Sequence, residues 1–475
     1  MLMAGTAMPK TVSESSTESS GEGEREPGAE PKAEPKAGSA RGGHGTVAPL
    51  LHSPDPGIPD GVSATLAANE ELARKQRRGE PVLPLAFGEA GLPVHPVLRE
   101  ALAAAAGRGS YGPVAGLSAL RAAAAGYWER RGLPTAAEHV VCGPGSKPLL
   151  YGLLVAIGGD VAVPRPSWVS YAAQASLNGA RPYFVSTPPG EGGVPEPFLL
   201  AKAVAAARAE GREIRSVIMT LPDNPTGTVA RPATMRRLCQ VAAELGLIII
   251  SDEIYRDLIH DPAAAVPSPA TIAPERTVVT TALSKSLALG GWRIGAARMP
   301  DGPDGTVLRD RLLGISSEIW STPSGPIQQA AAYAFGEPPE LTQRIAASRR
   351  LHAAVARAVA DQFAAAGARV LAPQAAFYLY PDLGPLREQL HRKHGVSGGS
   401  GLAALLLHKY GMGVLPGTAF GEDDGELRLR VATGLLYGKT SAEQEHALTA
   451  GNPLELPWIA AALERLGAVL GDVAG

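Results

Sequence analysis

Short β-branched runs alternate with alanine-rich stretches along most of this chain, and this alternation limits the possible fold more than any other sequence feature. The strand-like runs lie at residues 161–163, 214–220, 247–250 and 277–282. Helical periodicity appears between or before them, for example at 117–132 and 147–159. Strands that alternate with helices form largely parallel sheets with helices on both faces. The sequence therefore predicts an α/β fold with a mostly parallel sheet sandwiched by helices.

The last third of the chain has a different pattern. One long stretch with helical periodicity, residues 346–367, precedes strand candidates at 368–372, 376–383 and 427–433. Short helical segments lie between these strands instead of alternating with them regularly. This arrangement is typical of an α+β unit. We therefore predict a smaller α+β C-terminal domain after the large α/β domain.

The composition divides the chain into four predicted parts. These are a disordered tail over 1–60, an N-terminal arm over 61–110 that packs with the small domain, a large domain over 111–325, and a small C-terminal domain over 326–475. The tail is rich in Ser, Glu, Gly, Pro and Ala and has almost no large apolar side chains. It cannot bury enough apolar surface to offset the entropy lost on ordering.

Composition also excludes several classes of partner. The net charge of −2 provides no basic surface for nucleic acid or for an anionic membrane, so small molecules are the expected ligands. The two cysteines, Cys142 and Cys239, lack the spacing of metal ligands, and we predict no metal site. Neither a long apolar span nor an export signal is evident, which predicts a cytoplasmic protein without membrane contact.

Polar or aromatic residues follow each predicted strand, and this is the edge at which parallel sheets bind their ligands. They are Trp168, Asn224, Asp252 with Tyr255, and Lys285 with Arg293. A further helix is predicted to begin near Gly145, where backbone N–H groups can hold an anion. Lys285 lies among small and apolar residues, and its amine can form a Schiff base, which a guanidinium cannot.

These residue types together suit a phosphorylated, planar, electron-deficient aldehyde. Lys285 supplies the amine for an imine, and Asp252 supplies a carboxylate that can keep a pyridine nitrogen protonated. Arg293 and the helix start at 145–147 can hold a phosphate. The residues that can contact the ring and its phenolate oxygen are Trp168, Asn224 and Tyr255. This description fits pyridoxal phosphate, whose ring serves as an electron sink.

Three motifs resemble those of the fold-type I pyridoxal-phosphate enzymes of the class I/II aminotransferase family. They are DNPTG with Asn224, SDEIY with Asp252 and Tyr255, and SKxxxxxGWRIG with Lys285 and Arg293. The resemblance runs from about residue 80 to the C-terminus. It implies that 111–325 is the pyridoxal-phosphate-binding domain of an amino-acid aminotransferase. Lys285 would then form the Schiff base and afterwards move a proton from the substrate Cα to the cofactor.

Weaker matches extend the resemblance. The segment YGPVAGLSALR, with Tyr111, is similar to the one that reaches the phosphate of a neighbouring subunit, which implies a homodimer with shared active sites. The segment PSWVSY implies that Trp168 stacks on the pyridine ring. The other residues that the resemblance places at the cofactor are Gly145, Ser146, Lys147 and Ser284. Ala282 and Pro144 depart from the family pattern and imply a missing phosphate hydrogen bond.

Two arginines are candidates for binding the substrate carboxylate. Arg428 and Arg430 alternate along a predicted strand and so point to the same face. The resemblance favours Arg428 as the bidentate partner of the α-carboxylate and leaves Arg430 as a rim charge. It also places Gly88 and Asn224 beside the substrate, which would be an amino acid and in turn a 2-oxo acid.

The motifs leave alternative reactions open. The same cofactor pocket serves β- or γ-elimination, replacement and cyclising synthases, because all of these reactions share a carbanion intermediate. Candidates for the side-chain pocket, Trp320, Ser321 and Tyr378, show no charge preference, so the sequence does not identify the substrate. An aminotransferase-like regulatory sensor is a third alternative. Residues 1–60 disfavour it because they contain no helical hydrophobic pattern and no basic recognition helix.

Overall fold

The structure, a computed structural model, describes residues 62–475. The tail predicted over 1–60 lies outside the described residues. The strands within 62–475 are β1 (Leu83–Pro84), β2 (Val140–Gly143), β3 (Asp160–Arg165), β4 (Pro182–Ser186), β5 (Ile214–Thr220), β6 (Ile248–Asp252), β7 (Thr277–Ala282), β8 (Gly295–Arg298), β9 (Tyr378–Leu379), β10 (Met412–Gly413), β11 (Leu415–Pro416) and β12 (Leu429–Ala432).

The α-helices of the same part of the chain begin with α1, which directly follows Ser63. They are α1 (Ala64–Arg77), α2 (Pro96–Ala105), α3 (Ser118–Glu129), α4 (Ser146–Ile157), α5 (Ser170–Leu177), α6 (Pro197–Ala209), α7 (Pro232–Leu245), α8 (Leu283–Ser286), α9 (Pro303–Ile319), α10 (Gly325–Phe335), α11 (Pro339–Ala365), α12 (Arg387–His394), α13 (Gly399–Tyr410), α14 (Ser441–Thr449) and α15 (Pro457–Ala474).

Seven strands form the main sheet in the order β2-β8-β7-β6-β5-β3-β4. Strand β8 runs antiparallel to both of its neighbours, and the other pairings are parallel. The four strands predicted from β-branched runs are β3, β5, β6 and β7, so the mostly parallel α/β sheet is confirmed. Strands β2, β4 and β8 were not predicted. Strand β8 reads Gly-Ala-Ala-Arg, which has none of the β-branched residues that mark a strand.

Both faces of this sheet are buried by helices, which explains why its central strands are continuous apolar runs. In β5, Val217 and Met219 pack in the core that includes α6 and α7. The side chain between them, Ile218, packs on the other face with α4. Alternation along a strand sends neighbouring residues to opposite faces, so both cores need apolar residues from each strand.

The C-terminal part contains a three-stranded antiparallel sheet in the order β11-β12-β9, packed against α11 and α15. The predicted long helix is confirmed as α11. The strand predicted at 368–372 is wrong, since this segment makes only an isolated bridge between Arg369 and Asp382. The candidate at 376–383 is reduced to the two residues of β9, because Pro381 lacks the N–H that a continued strand would need.

Strand β1 pairs with β10, which brings the segment before α2 against the C-terminal part of the chain. The N-terminal arm was expected to pack with the small C-terminal domain, and this contact is of that kind. The four-part division itself stays a prediction. Within residues 62–475, each helix is too short or too polar to cross a bilayer.

Candidate active site

A cavity of about 530 Å³ lies beyond the carboxyl ends of β5, β6 and β7. Its wall brings together residues that are far apart in the chain, from the start of α1 to β12. The residues predicted from sequence that line it are Gly88, Ser146, Lys147, Trp168, Asn224, Asp252, Tyr255, Ser284, Lys285, Arg293 and Tyr378. A parallel sheet places the loops that follow its strands at one edge, and this explains the convergence.

Asp252 is the last residue of β6 and is buried at the base of the cavity. The sheet register sets it beside Thr220 of β5 and Thr280 of β7. Thr280 Oγ1 donates a hydrogen bond to Asp252 Oδ1 at 3.0 Å, and the Tyr171 hydroxyl donates to Oδ2 at 3.2 Å. Burial raises the pKa of the Asp252 carboxyl to about 7. Within residues 62–475 Asp252 makes no ion pair, so a cationic N–H group of a ligand would satisfy it.

Lys285 lies in the short helix α8, which follows β7 directly. Its Nζ donates a hydrogen bond to the carbonyl oxygen of Gly88 at 2.5 Å. Burial and the nearby Arg430 guanidinium lower the pKa of the Lys285 amine to about 8. The amine is therefore partly unprotonated near neutral pH, as a nucleophile or a base requires.

The start of α4 and Arg293 form one corner of the cavity. Gly145 caps this helix with φ of +91°, and a Cβ at this position would lie 2.5 Å from Arg293 Nη2. Only glycine permits both the backbone conformation and this close approach. The N–H groups of the first helical turn and the guanidinium therefore lie side by side, which is an arrangement that binds phosphate.

Lys147 and Trp168 form the neighbouring wall. The Lys147 ammonium lies 5.0 Å from the centre of the Trp168 ring. Burial, together with the charge of Arg293, lowers the pKa of Lys147. The cavity thus carries four cationic side chains, those of Lys147, Lys285, Arg293 and Arg430.

The structure contradicts the placement predicted for Arg430, which lies in β12, and for Arg428, which directly precedes this strand. Arg430 lines the cavity, with only 1% of its surface exposed, and its Nη1 lies 3.4 Å from Asn224 Oδ1. It also donates to the carbonyl oxygen of Ala86. Arg428 lies outside this cavity and lines a second one of about 460 Å³. Arg430 is therefore the arginine available to a ligand of the first cavity.

Arg428 and Arg430 reach different cavities because of their separation along the chain. The two side chains do share a face, but two residues of a strand span about 7 Å, enough to reach different cavities. Arg428 is surrounded by carboxylates, with Nη1 at 2.6 Å from Glu422 and Nη2 at 3.5 Å from Glu426. Its charge is therefore already paired with carboxylates of the protein.

Several residues of the site were not predicted, among them Tyr171 and Thr280, which bond Asp252. Tyr378 was predicted only for the side-chain pocket and Arg430 only as a rim charge, whereas Tyr378 bonds Tyr255 and Arg430 faces Asn224. Tyr171 belongs to the PSWVSY segment, and Thr280 lies in a strand that was predicted, so a register argument could have found both. Residues at the start of α1 also line the cavity, and no sequence signal marked them; they are Ser63, Thr65 and Leu66. Tyr111 is 90% exposed and lies outside the cavity.

Comparison with known proteins agrees with this geometry. The family model described as Aminotransferase class I and II matches residues 80–448. A probable aspartate/prephenate aminotransferase of Thermus aquaticus is 31% identical over 378 residues, 78% of this chain and 92% of that protein. An aspartate aminotransferase of Geobacillus stearothermophilus is 30% identical over 395 residues, 81% of this chain and 95% of that protein.

The same fold appears in solved structures. The Thermus thermophilus aspartate aminotransferase with maleate has a TM-score of 0.72 and 27% identity, covering 86% of this chain and 97% of that one. The sheet and the cavity at its carboxyl edge thus define an α/β enzyme with the fold-type I architecture. The chain belongs to the class I and II aminotransferase family, whose members use pyridoxal phosphate. The predicted aminotransferase activity is confirmed at this level.

Proposed function

We propose that this aminotransferase binds pyridoxal phosphate in the first cavity and transfers the amino group of an acidic amino acid. The observation that supports cofactor binding most directly is the pairing of Asp252 and Lys285 in one cavity. Asp252 is a buried carboxylate that lacks an ion-pair partner in the described part of the chain, and a pyridinium nitrogen would supply one. The start of α4 with Arg293 fits the phosphate, and Trp168 offers a ring face.

The cofactor, when bound, supplies the electron sink that makes the substrate Cα–H bond acidic. The protein residues control where that proton goes. Lys285 Nζ, with its lowered pKa, would accept the proton from the substrate Cα and pass it to the cofactor carbon that had carried the aldehyde oxygen. Arg430, held beside Asn224, binds the α-carboxylate and so sets which bond of Cα is broken. Ser146, the first residue of α4, and Ser284 also line the cavity.

The number of cations supports an acidic substrate. If Arg293 binds the phosphate, Arg430 the α-carboxylate and Lys285 the aldehyde, Lys147 remains without an anion. We therefore propose that Lys147, which the resemblance assigned to the cofactor, binds the distal carboxylate of the substrate. Relatives named for aspartate and for prephenate, and a relative's structure with maleate, are consistent with a dicarboxylic substrate.

The exposure of Tyr111 supports a homodimer. Its side chain is 90% exposed on this chain, although such a large aromatic group usually gains by burial. We propose that Tyr111 contacts the cofactor phosphate in a second copy of the chain, as the resemblance implied, so that two active sites are shared.

The first experiment removes the amine. Purified wild-type protein loaded with pyridoxal phosphate should show a visible absorbance band, and Lys285→Ala should lack this band. The same variant should lower aspartate-dependent turnover by a factor of about 1,000 or more. Lys439→Ala is the matched control, because Lys439 is exposed and lies outside the cavity. A visible band and turnover that survive in Lys285→Ala would contradict the proposal.

A second experiment separates the two roles considered for Lys147. Lys147→Gln should lower kcat/KM for aspartate about 10-fold to 100-fold relative to alanine, because only aspartate has a distal carboxylate to lose its partner. Cofactor affinity, measured by titrating the apo protein, should stay close to wild type. An equal loss for both amino acids, together with weaker cofactor binding, would assign Lys147 to the cofactor instead.

A further inference from the structure

Tyr378 is a buried residue of the cavity wall that the steps above do not use. It lies in β9, where it pairs with Ala432 of β12. Only 1% of its surface is exposed, yet it lines the cavity. It is therefore placed between the strand that carries Arg430 and the groups that surround Lys285.

The hydroxyl groups of Tyr378 and Tyr255 lie 2.8 Å apart, which is a hydrogen-bond distance. Their rings meet edge to face, with centres 5.4 Å apart and planes at 87°. Phe377 packs against both rings and limits their movement. This pair is thus a fixed contact within the wall of the site.

Gly88 makes room for the Tyr378 hydroxyl. A Cβ at Gly88 would overlap this hydroxyl, and the Gly88 carbonyl oxygen accepts the hydrogen bond from Lys285. The same short segment therefore holds the amine of Lys285 and leaves space for the tyrosine pair. Tyr378 contacts Tyr255 directly. Gly88 lies between Tyr378 and Lys285 and contacts both side chains.

Tyr378 is the better donor of the two: Arg430 lowers the pKa of both phenols, but burial raises the pKa of Tyr255 much further above its usual value. The guanidinium carbon of Arg430 lies 5.3 Å from the centre of the Tyr378 ring. A nearby cation stabilises negative charge on a phenol oxygen and makes that phenol the better hydrogen-bond donor. A hydroxyl has one proton and two acceptor sites, so when Tyr378 donates to Tyr255, the Tyr255 proton is free to point elsewhere.

We propose that Tyr378 is a positioning residue that donates its proton to Tyr255 and so directs the Tyr255 proton toward the phenolic oxygen of the bound cofactor. This inference rests on the proposed function, because it requires pyridoxal phosphate in the cavity. Without Tyr378, Tyr255 can rotate or donate elsewhere, and the phenolic oxygen loses part of its stabilisation as an anion. This oxygen would then be more basic, and the pH at which the bound cofactor loses its proton would rise.

The test is a pH titration of the visible absorbance of the loaded enzyme. Tyr378→Phe should move the midpoint upward by about half to one pH unit, the size expected from weakening one hydrogen bond. It should lower kcat about 3-fold to 10-fold. In a Tyr255→Phe background, adding Tyr378→Phe should leave the midpoint unchanged, because the residue through which Tyr378 acts is gone.

Tyr380→Phe is the matched control. Tyr380 lies two residues further on, bonds Glu422 and lines the second cavity, so its loss should leave the midpoint unchanged. Thermal unfolding of the apo proteins checks that both variants fold. An unshifted midpoint in Tyr378→Phe, or an equal shift with and without Tyr255, would overturn this inference alone. A visible band that survives Lys285→Ala would overturn the proposed function as well.

Discussion

Arg430 and Arg428 show how one residue's position along a strand decides its chemistry. Both are arginines on the same face, and their flanking sequence is similar. Arg430 is buried beside Asn224, whereas Arg428 contacts Glu422 in another cavity. Their difference comes from which carboxylates and which cavity the fold places nearby.

The two arginines form a matched pair for mutation. Arg430→Lys should raise KM for the amino-acid substrate about 100-fold, because a lysine cannot make the bidentate contact to a carboxylate. Arg428→Lys should change KM less than about 3-fold, since its partners are carboxylates of the protein. Steady-state kinetics with aspartate as the varied substrate measures both. A larger effect at Arg428 would restore the sequence-based assignment.

At the residue scale, the sequence located the groups whose type and spacing are unusual. Lys285, Asp252 and Asn224 could be predicted because an isolated amine, a carboxylate after a buried strand and an Asn-Pro turn stand out from their surroundings. Tyr378 and Arg430 could not be assigned with the same reasoning. Their role depends on contacts with Tyr255 and Asn224, which lie more than one hundred residues away in the chain.

At the scale of elements, the start of α4 forms the corner of the cavity at which we propose that phosphate binds. Its cap at Gly145 brings the helix against Arg293, and its other end is capped by Gly158. Both glycines have positive φ and an extended ψ, but only Gly145 faces another side chain at close range. Conformational strain and loss of the anion site can therefore be separated by mutation.

Gly145→Ala should weaken pyridoxal-phosphate affinity by about 10-fold or more, because the new methyl group displaces the Arg293 guanidinium. Gly158→Ala carries a similar backbone strain of about 1 to 3 kcal/mol and should lower thermal stability without changing cofactor affinity. Spectroscopic titration of both apo variants with cofactor measures the difference. Equal loss of affinity in the two variants would mean that strain, not contact with Arg293, is responsible.

The strands show what an apolar pattern can and cannot predict. Strands β5, β6 and β7 were found because both faces of the sheet are buried, so their β-branched residues run without interruption. Strand β8 was missed because its glycine and alanines suit the close packing beside α4. A Cβ at Gly295 would lie 2.8 Å from the backbone of Ser146, so the strand needs a residue with no strand propensity.

At the scale of the whole molecule, the proposed homodimer makes the active site a property of two chains. Tyr111→Ala should weaken cofactor binding, and Lys285→Ala should be inactive. Mixing and reassembling the two variants should restore about a quarter of wild-type activity, because half the dimers are mixed and each of these has one intact site. Light scattering checks that the particle is a dimer. Failure of the mixture to regain activity would contradict shared sites.

Local sequence was sufficient for four of the seven strands of the main sheet and for Lys285, Asp252 and Arg293, which meet in the first cavity. These depend on strand periodicity, on helix starts and on the rule that loops after parallel strands meet at one edge. The assignment of Arg430 over Arg428 and the pairing of Tyr378 with Tyr255 needed the folded chain. They arise where residues of the three-stranded sheet meet the loops that follow β5 and β6, and no local pattern encodes the distance between atoms that separate elements bring together.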